Sequence, residues 1–295
     1  MQANLDTTEI LKKVRAIELK TRGITNNIFA GEYHSAFKGR GMSFSEVREY
    51  QYGDDIRNID WNVTARYKKP FIKTFEEERE LTLMLLIDVS KSSYFGTKTQ
   101  FKSELITEMC AVLAFSAIKN NDKVGLILFS DTIELFIPPK KGKYHILRII
   151  RELINFKPTS HGTNLAEGLK FFTNVIKKRS IAFVMSDFMC DNFSEALSVA
   201  CKKHDLTGIH VYDEAEKELP KVGLARLLDA ETGSVRWVNT ASKKVRDHFS
   251  DTFISNQKEI KSQFVKNRSD LLSIKVEDSY IKTLRQFFKR RELKR

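Results

Sequence analysis

Residues 81–92 read LTLMLLIDVSKS and join a short apolar run to an abrupt polar end. The run is too short for a helix, and it is apolar enough to form a strand buried on both faces. Asp88, Ser90 and Ser92 follow it with the spacing D-x-S-x-S. Open α/β sheets bind ligands at the carboxyl ends of central strands, so these three side chains are well placed to hold a hard cation.

The type of ligand narrows the choice of metal at this loop. Oxygen ligands without Cys or His favour Mg²⁺, Mn²⁺ or Ca²⁺ over zinc. The alternative is a polar strand-to-helix turn in which Ser92 or Ser93 caps the helix that follows. The spacing alone leaves both interpretations open.

The length and composition indicate a globular chain. Its 295 residues can bury a sizeable core, and its apolar runs are far shorter than the roughly 20 residues of a membrane span. The first residues contain no signal-peptide core, so we expect a cytoplasmic protein. Cys110, Cys190 and Cys201 show no C-x-x-C spacing, and we expect them to be small buried hydrophobic residues in a reducing compartment.

The net charge of +12 permits nucleic acid, acidic proteins or a membrane surface as partners. The densest basic segment is at the end of the chain: Lys289, Arg290, Arg291, Lys294 and Arg295. Cations suit a helix C-terminus, so this segment is interpreted as a solvated helix end. A nucleic-acid-binding arm is the alternative.

The segment before the central strand differs in pattern from the rest. Residues 7–21 have helical periodicity, whereas residues 26–73 lose it and mix glycines, aromatic residues and charges. Gly39-Arg40-Gly41 is not predicted to be a phosphate loop, because no buried strand precedes it. We therefore predict an accessory segment over residues 1–79 and a second domain over residues 80–295.

Acidic residues alternate with arginines beside aromatic residues between residues 48 and 66. The residues of interest are Arg48, Tyr50, Asp54, Asp55, Arg57, Asp60, Trp61 and Arg66. One interpretation is a compact insert whose charges pair with one another and are positioned by aromatic packing. The other is a partner-binding surface.

Helical and strand patterns alternate after Ser92, which predicts an α/β fold with a doubly wound, mainly parallel sheet. Strands are predicted at residues 124–129, 133–137, 181–185, 207–211 and 271–276, and helices at 101–119, 144–156, 165–176, 194–203, 242–265 and from 279. The strand at 133–137 is predicted to be an antiparallel edge strand that Pro138-Pro139 ends. Residues 224–228 and 235–238 flank Glu231-Thr232-Gly233, a hairpin signal.

Two later loops carry further oxygen ligands. Thr163 precedes the helix predicted at 165–176, where it could serve either as a metal ligand or as the helix cap. Asp187 follows the strand predicted at 181–185, as Asp88 follows the central strand. Right-handed crossovers bring such loops to one edge of the sheet.

The set Asp88, Ser90, Ser92, Thr163 and Asp187 resembles the metal-ion-dependent adhesion site of the von Willebrand factor A fold. The upstream pattern G-D-D-x-R-x-I-D-W, followed by Ala65-Arg66, resembles a narrower group, the bacterial domain-of-unknown-function family fifty-eight. Together the two resemblances cover roughly residues 37–238.

The resemblance implies a Mg²⁺ ion held directly by Ser90, Ser92 and Thr163, with Asp88 and Asp187 bonded mostly through waters. An open coordination position then accepts a carboxylate from a partner protein. Members of the narrower group resemble companions of MoxR-type AAA+ ATPases, which implies a non-enzymatic adaptor that acts on an acidic client protein.

Two other functions compete with this interpretation. A metal-dependent phosphatase or phosphotransferase could use Asp88 as nucleophile and His161 as base, but Ser90 stands where haloacid-dehalogenase-like enzymes carry a second Asp. A basic nucleic-acid-binding protein is compatible with the charge, although no recognition motif supports it.

Overall fold

The computed structural model describes residues 7–25, 30–37, 42–77, 80–94, 101–160, 162–190, 192–228 and 234–293. The helices are α1 (Thr7–Ile24), α2 (Ala30–Phe37), α3 (Trp61–Tyr67), α4 (Lys102–Lys119), α5 (Lys143–Asn155), α6 (Leu165–Val175), α7 (Ser194–Lys203), α8 (Glu214–Lys217), α9 (Lys243–Lys266) and α10 (Tyr280–Leu293). The strands are β1 (Met42–Glu49), β2 (Phe71–Glu77), β3 (Thr82–Asp88), β4 (Lys123–Phe129), β5 (Ile133–Lys140), β6 (Ile181–Ser186), β7 (Asp205–Tyr212), β8 (Leu224–Leu228), β9 (Val235–Asn239) and β10 (Asp270–Lys275).

The chain divides into two compact units. The large unit contains Met1–Ala36 and Thr82–Arg295, and the accessory unit contains Phe37–Leu81. This differs from the predicted division, which assigned all of residues 1–79 to an accessory segment. Helix α1 belongs to the large unit because it buries apolar side chains there and because its Lys20 Nζ lies 2.6 Å from Glu108 Oε1 on α4.

Six strands of the described large unit form one sheet in the order β10-β7-β6-β3-β4-β5. Neighbouring strands are parallel except for β5, which runs antiparallel to β4 at the edge. The predicted fold class, a doubly wound and mainly parallel α/β sheet, is confirmed.

The sheet changes its direction of growth beside β3. Strands β4 and β5 lie on one side of β3, and β6, β7 and β10 lie on the other. Loops leaving β3 and β6 therefore diverge and open a crevice at their carboxyl ends, where such sheets bind ligands.

The strands are apolar because helices cover both faces of the sheet. One face packs Met84 and Leu86 of β3 against α6, α7 and α9, with Phe264 fully buried among them. On the other face, Cys110 of α4 contacts Met185 of β6 at 3.7 Å between the sulfur atoms. Both layers bury the apolar side chains that make the strands recognisable in the sequence.

The accessory unit is built on the antiparallel pair β1 and β2, whose register shifts between Phe44 and Glu46. Helix α3 precedes β2, and Phe71 N–H bonds to the Thr64 hydroxyl at 3.0 Å. The sequence did not predict β1 or α2, since neither has a regular apolar period. Gly39-Arg40-Gly41 lies outside the described residues.

Strand β5 also differs from its prediction, because it continues through Pro138-Pro139 to Lys140. Its register with β4 is irregular between Val124 and Leu126, which is where the two prolines lie opposite β4. An edge strand tolerates proline at such an irregularity, since the missing N–H groups are not needed there.

The basic end of the chain is only partly solvated. Arg291 is 8% exposed, and its guanidinium lies 2.5 Å from Asp205 Oδ1 and 3.4 Å from Asp270 Oδ2. The interpretation of the whole segment as a solvated helix end is therefore wrong for Arg291, which fastens α10 to the ends of β7 and β10. Lys294 and Arg295 lie outside the described residues.

The cysteines vary in burial. Cys110 is buried as expected, whereas Cys190 and Cys201 are half-buried, and all three are free thiols. None of the helices in the described ranges combines the length and the apolar character that crossing a bilayer requires.

Candidate metal-ion site

Two neighbouring parallel strands bring carboxylates to the crevice. Ile87 of β3 is in register with Met185 of β6, so Asp88 lies level with Ser186 and just before Asp187. The Ser186 hydroxyl donates to Asp88 Oδ2 at 2.6 Å. Asp88 is 1% exposed and Asp187 is 7% exposed, so both carboxylates are buried.

The loop after β3 folds back on Asp88. Ser90 N–H donates to Asp88 Oδ1 at 2.9 Å, and the Ser90 and Ser92 hydroxyl oxygens lie 2.9 Å apart. Ser92 lies inside the short 3-10 turn Lys91–Tyr94, and α4 begins only at Lys102. Ser92 therefore does not cap α4, and its hydroxyl faces the same network as that of Ser90.

Asp187 closes the network from β6. Its Oδ1 accepts from Met189 N–H at 3.2 Å, and its Oδ2 lies 3.3 Å from Lys102 Nζ. Ser92 also contributes to lowering the pKa of the Asp187 carboxylate. Hydrogen bonds thus connect Asp88, Ser90 and Ser92, and Asp187 lies beside them at the same edge of the sheet.

Lys102 is a functional candidate that the sequence interpretation missed. It is 1% exposed, and its ammonium also lies 2.6 Å from Glu216 Oε1 on α8. The sequence did hold one signal, since a lysine in the first turn of a helix opposes the helix dipole and needs a reason. Glu216 gave no signal, because a four-residue helix has no detectable period. We call Asp88, Ser90, Ser92, Lys102, Asp187 and Glu216 the carboxyl-edge network.

The charges in this network shift each other's pKa values. Burial, reinforced by the negative charge of Asp187, raises the pKa of Asp88 above its ordinary value. Burial also raises the pKa of Asp187, but the Lys102 ammonium and the hydrogen bonds from Ser92 and Met189 outweigh it, so the pKa of Asp187 lies below its ordinary value. Burial raises the pKa of Glu216 despite the Lys102 charge. The site thus concentrates negative charge where water is scarce.

Thr163 lies on the next loop, half-buried, immediately before α6. Asn164, and not Thr163, caps α6, because Asn164 Oδ1 accepts from Glu167 N–H at 3.1 Å. Asn164 N–H donates to the Ser130 carbonyl at 2.8 Å, which holds this loop at the end of β4, beside β3. This position at the carboxyl edge of the sheet suits a ligand role for Thr163. His161 lies outside the described residues.

The donor set fits a hard cation. Asp88 and Asp187 supply two carboxylates, and Ser90, Ser92 and Thr163 supply hydroxyl oxygens, which Mg²⁺ accepts together with water. Among the described residues, no group of three or more His, Cys, Asp or Glu side chains is arranged to hold a metal ion. A zinc or cluster site of the usual kind is therefore not found in that part of the chain.

The charges of the accessory unit mostly pair within it. Arg48 reaches Asp54 with two hydrogen bonds of 2.8 and 2.7 Å, and Asp54 also accepts from Gln51 N–H at 2.8 Å. The Arg48 bond, followed by the Gln51 bond, lowers the pKa of Asp54. Asp60 caps α3 by accepting from Asn62 and Val63 N–H groups at 3.0 and 3.2 Å.

Most of the remaining predicted residues of this unit face solvent. Asp55 accepts from Arg57 N–H at 3.0 Å, yet the Arg57 side chain is 91% exposed. Trp61 is 68% exposed, Arg66 is exposed, and Tyr50 is half-buried. Internal pairing therefore holds for Arg48, Asp54 and Asp60, and also for Arg57 and Asp55, whose Nε and Oδ1 atoms lie 3.8 Å apart. The expected aromatic packing is wrong for Trp61.

Comparisons with known proteins agree with the upstream motif. The model of the family described as "Protein of unknown function DUF58" matches residues 46–260. "Uncharacterized protein Rv1480" of Mycobacterium tuberculosis (strain ATCC 25618 / H37Rv) is 26% identical over 290 residues, which cover 97% of this chain and 91% of that protein.

Two solved structures show a distant likeness. An aerotolerance-related membrane protein from Bacteroides fragilis NCTC 9343 aligns over 73% of this chain and 100% of its own, with 13% identity and a TM-score of 0.49. The SpRpn10 VWA domain aligns over 68% of this chain and 92% of its own, with 14% identity and a TM-score of 0.37. The fold assignment rests on the strand order described above and not on these likenesses.

Proposed function

We propose, for a chain that belongs to the DUF58 family of proteins of unknown function, that Asp88, Ser90, Ser92, Thr163 and Asp187 hold Mg²⁺ and that the ion binds an acidic side chain of a partner protein. The observation that carries this proposal is the hydrogen-bonded run from Asp88 through Ser90 to Ser92, with Asp187 beside it at the switch point of the sheet. Mn²⁺ or Ca²⁺ could occupy the same oxygen ligands.

Charge balance supports a divalent cation. Lys102 and Glu216 carry opposite charges and lie 2.6 Å apart, so they offset one another. Asp88 and Asp187 then contribute the net negative charge, which a doubly charged ion balances. Buried like charges are unfavourable without such a counter-ion, and this is why the raised pKa of Asp88 supports the proposal.

Neighbouring groups orient the two carboxylates of the site, and the hydroxyl groups supply neutral ligand atoms. The Ser186 hydroxyl and Ser90 N–H hold the Asp88 carboxylate in one orientation, and Met189 N–H and Lys102 hold Asp187. The hydroxyls of Ser90, Ser92 and Thr163 supply neutral ligands, which leaves the ion attractive to a further carboxylate. Mg²⁺, when bound, supplies a coordination position for that carboxylate.

Binding is favoured over catalysis at this site. Asp88 is 1% exposed, and both its carboxylate oxygens accept hydrogen bonds, so it is poorly placed to attack a phosphorus atom. The buried ammonium of Lys102 would suit phosphoryl transfer, but it is held between Asp187 and Glu216. We therefore propose a non-enzymatic adaptor, with a MoxR-type AAA+ ATPase and an acidic client as its partners.

The test is capture of partners from a lysate of the source bacterium by the immobilised full chain. Wild type, Asp88→Asn and the surface control Asp251→Asn are compared in Mg²⁺ and in EDTA, and bound proteins are quantified by mass spectrometry. We expect a set that includes a MoxR-type ATPase or its client, retained by wild type and Asp251→Asn and lost in EDTA or with Asp88→Asn. Capture that is unchanged by both EDTA and Asp88→Asn would refute the proposal.

A further inference from the structure

A cavity of about 760 Å³ adjoins the candidate metal site in the large unit. Ser92 and Asp187, two of the candidate ligands, line it together with Glu216. Met189 and Leu219 also line it, and the rest of its wall comes from the β8–β9 hairpin and from α9. We call it the hairpin cavity, and its size lies within the range typical of ligand pockets.

The side chains of the hairpin cavity differ from those of the carboxyl-edge network. Leu227 and Val238 face it from the hairpin, and Phe249 and Phe253 face it from α9. Leu227, Val238 and Phe249 are only half-buried, so part of this apolar wall is open to solvent. An apolar side chain of a partner would make hydrophobic contacts in this cavity that the polar side chains of the candidate metal site do not provide.

The hairpin cavity also carries positive charge at its exposed side. Arg236 of β9 lines it and is exposed, and its strand partner Leu227 contributes the adjacent apolar surface. The cation at the metal edge and the guanidinium of Arg236 would both favour an acidic ligand. Charge complementarity therefore points to an acidic protein segment with an apolar side chain, and a neutral lipid or a basic peptide fits less well.

We propose that the hairpin cavity selects the partner by its sequence next to the metal-bound carboxylate. The preferred segment carries Asp or Glu with a large aliphatic or aromatic residue within two positions of it. This inference rests on the proposed function, because the carboxylate must first be held at the metal edge. The β8–β9 hairpin and α9 then determine which acidic proteins bind.

Strand alternation supplies matched controls on the hairpin itself. Val238 and Arg236 line the hairpin cavity, whereas Val235 and Arg226 point to the opposite face of the same hairpin. Val235 is 41% exposed and Arg226 is exposed, so neither belongs to the core. An aspartate introduced at Val238 changes the wall of the hairpin cavity, whereas an aspartate introduced at Val235 changes only the opposite face of the hairpin. Comparing the two variants therefore distinguishes an effect on the cavity from an effect on the fold of the hairpin.

The experiment measures dissociation constants of short blocked peptides for the full chain by calorimetry in Mg²⁺. The probes are Ala-Ala-Glu-Leu-Ala-Ala, the same peptide with Ser in place of Leu, and the same peptide with Gln in place of Glu. We expect the Leu peptide to bind about tenfold more tightly than the Ser peptide, because burying the leucine side chain contributes apolar surface. Val238→Asp should remove this preference, and Arg236→Glu should weaken both acidic peptides.

The other possible results of the peptide titrations contradict either the role of the hairpin cavity or the proposed function of the metal site. Equal binding of the Leu and Ser peptides that still requires Mg²⁺ and Glu overturns the inference and leaves the proposed function standing. The same loss of preference in Val235→Asp as in Val238→Asp overturns the assignment to the cavity. A leucine preference that persists with Gln and in EDTA overturns the proposed function, and no binding of any peptide at millimolar concentration contradicts both.

A second copy of the chain is the competing occupant of the hairpin cavity. Sedimentation of wild type and Val238→Asp over a range of concentrations tests for it. We expect the same molecular mass for both. A dimer formed by wild type and abolished by Val238→Asp would assign the cavity to self-association and overturn the proposal.

Discussion

The carboxyl-edge network of the large unit and the accessory unit both place acidic side chains beside basic ones, but they do so in different surroundings. Lys102 and Asp187 have side chains that are 2% and 6% exposed, whereas Arg48 and Asp54 have side chains that are 36% and 19% exposed. Buried charges pay a large desolvation cost, and exposed pairs are screened by water. A buried set of charges at the sheet edge therefore needs a functional reason, whereas exposed ion pairs can serve simply to shape a loop.

The largest loss of stability is expected from Lys102→Met. This substitution leaves the buried Asp187 and the half-buried Glu216 without their shared cation, and removal of one partner from a buried charged group costs about 3–5 kcal/mol. Urea unfolding at pH 7 without divalent cations should show this loss in the free energy of unfolding. The matched control is Lys20→Met, since the Lys20 side chain is 54% exposed in its pair with Glu108 and should cost less than about 1 kcal/mol.

Equal effects of these two substitutions would contradict the assignment of Lys102 to a buried charge network. The addition of Mg²⁺ refines the result. If the ion binds beside Asp187, it should recover part of the stability that Lys102→Met loses, and it should leave Lys20→Met unchanged relative to wild type.

The buried His204 makes the free energy of unfolding depend on pH. His204 is 1% exposed, packs on Phe172, and accepts from Ser180 N–H at its Nδ1. Burial, with smaller effects of Lys203 and Arg179, lowers its pKa to about 4 from an ordinary value of 6.5. Between these two values the unfolded chain binds a proton that the folded chain does not, so stability falls as the pH decreases from 6.5 towards 4.

We expect this group to contribute a loss of about 2 kcal/mol in the free energy of unfolding by pH 4.5. Because carboxylates also titrate in this range, the measurement compares wild type with His204→Asn by urea unfolding at pH 7 and pH 4.5. The variant should lose less stability than wild type over that interval. Identical losses would show that His204 is protonated in the folded state.

The smallest effect is expected in the accessory unit from Arg48→Gln. The substitution removes two hydrogen bonds to Asp54, but Asp54 keeps its bond from Gln51 N–H and is accessible to water. The midpoint of thermal unfolding should change less with Arg48→Gln than with Lys102→Met or His204→Asn. A shift as large as that of Lys102→Met would show that the accessory unit, too, depends on a desolvated ion pair.

The sheet was predictable from the sequence because its signals are local. Strands β3, β4 and β6 are continuous apolar runs that stop at polar residues, and helices of regular period separate them. Asp88 and Asp187 could therefore be placed at one edge before any contact was known. Strand β1 and helix α2 could not be predicted, because their apolar residues have no regular period.

The part of the candidate site that the sequence analysis did not find, Lys102 with Glu216, is brought together only by the tertiary structure. Lys102 and Glu216 are 114 residues apart and meet only because α4 and α8 begin at the same edge of the sheet. For the aromatic residues of the accessory unit, the sequence predicts more packing than the structure shows. Trp61 was expected to pack because large aromatic residues usually do, yet it is 68% exposed. Composition predicts which residues can bury surface, and only the fold determines which of them do.

The most direct test of the central claim is Mn²⁺ binding to metal-stripped protein, followed by electron paramagnetic resonance of the free ion. Wild type is compared with Asp88→Asn, Thr163→Ala and the exposed control Asp251→Asn, with circular dichroism to verify the fold of each. We expect wild type and Asp251→Asn to bind one Mn²⁺ per chain, which Mg²⁺ displaces, and we expect Asp88→Asn and Thr163→Ala to lose that ion. Undiminished binding in a folded Asp88→Asn variant, or no binding in wild type, would contradict the proposed metal site.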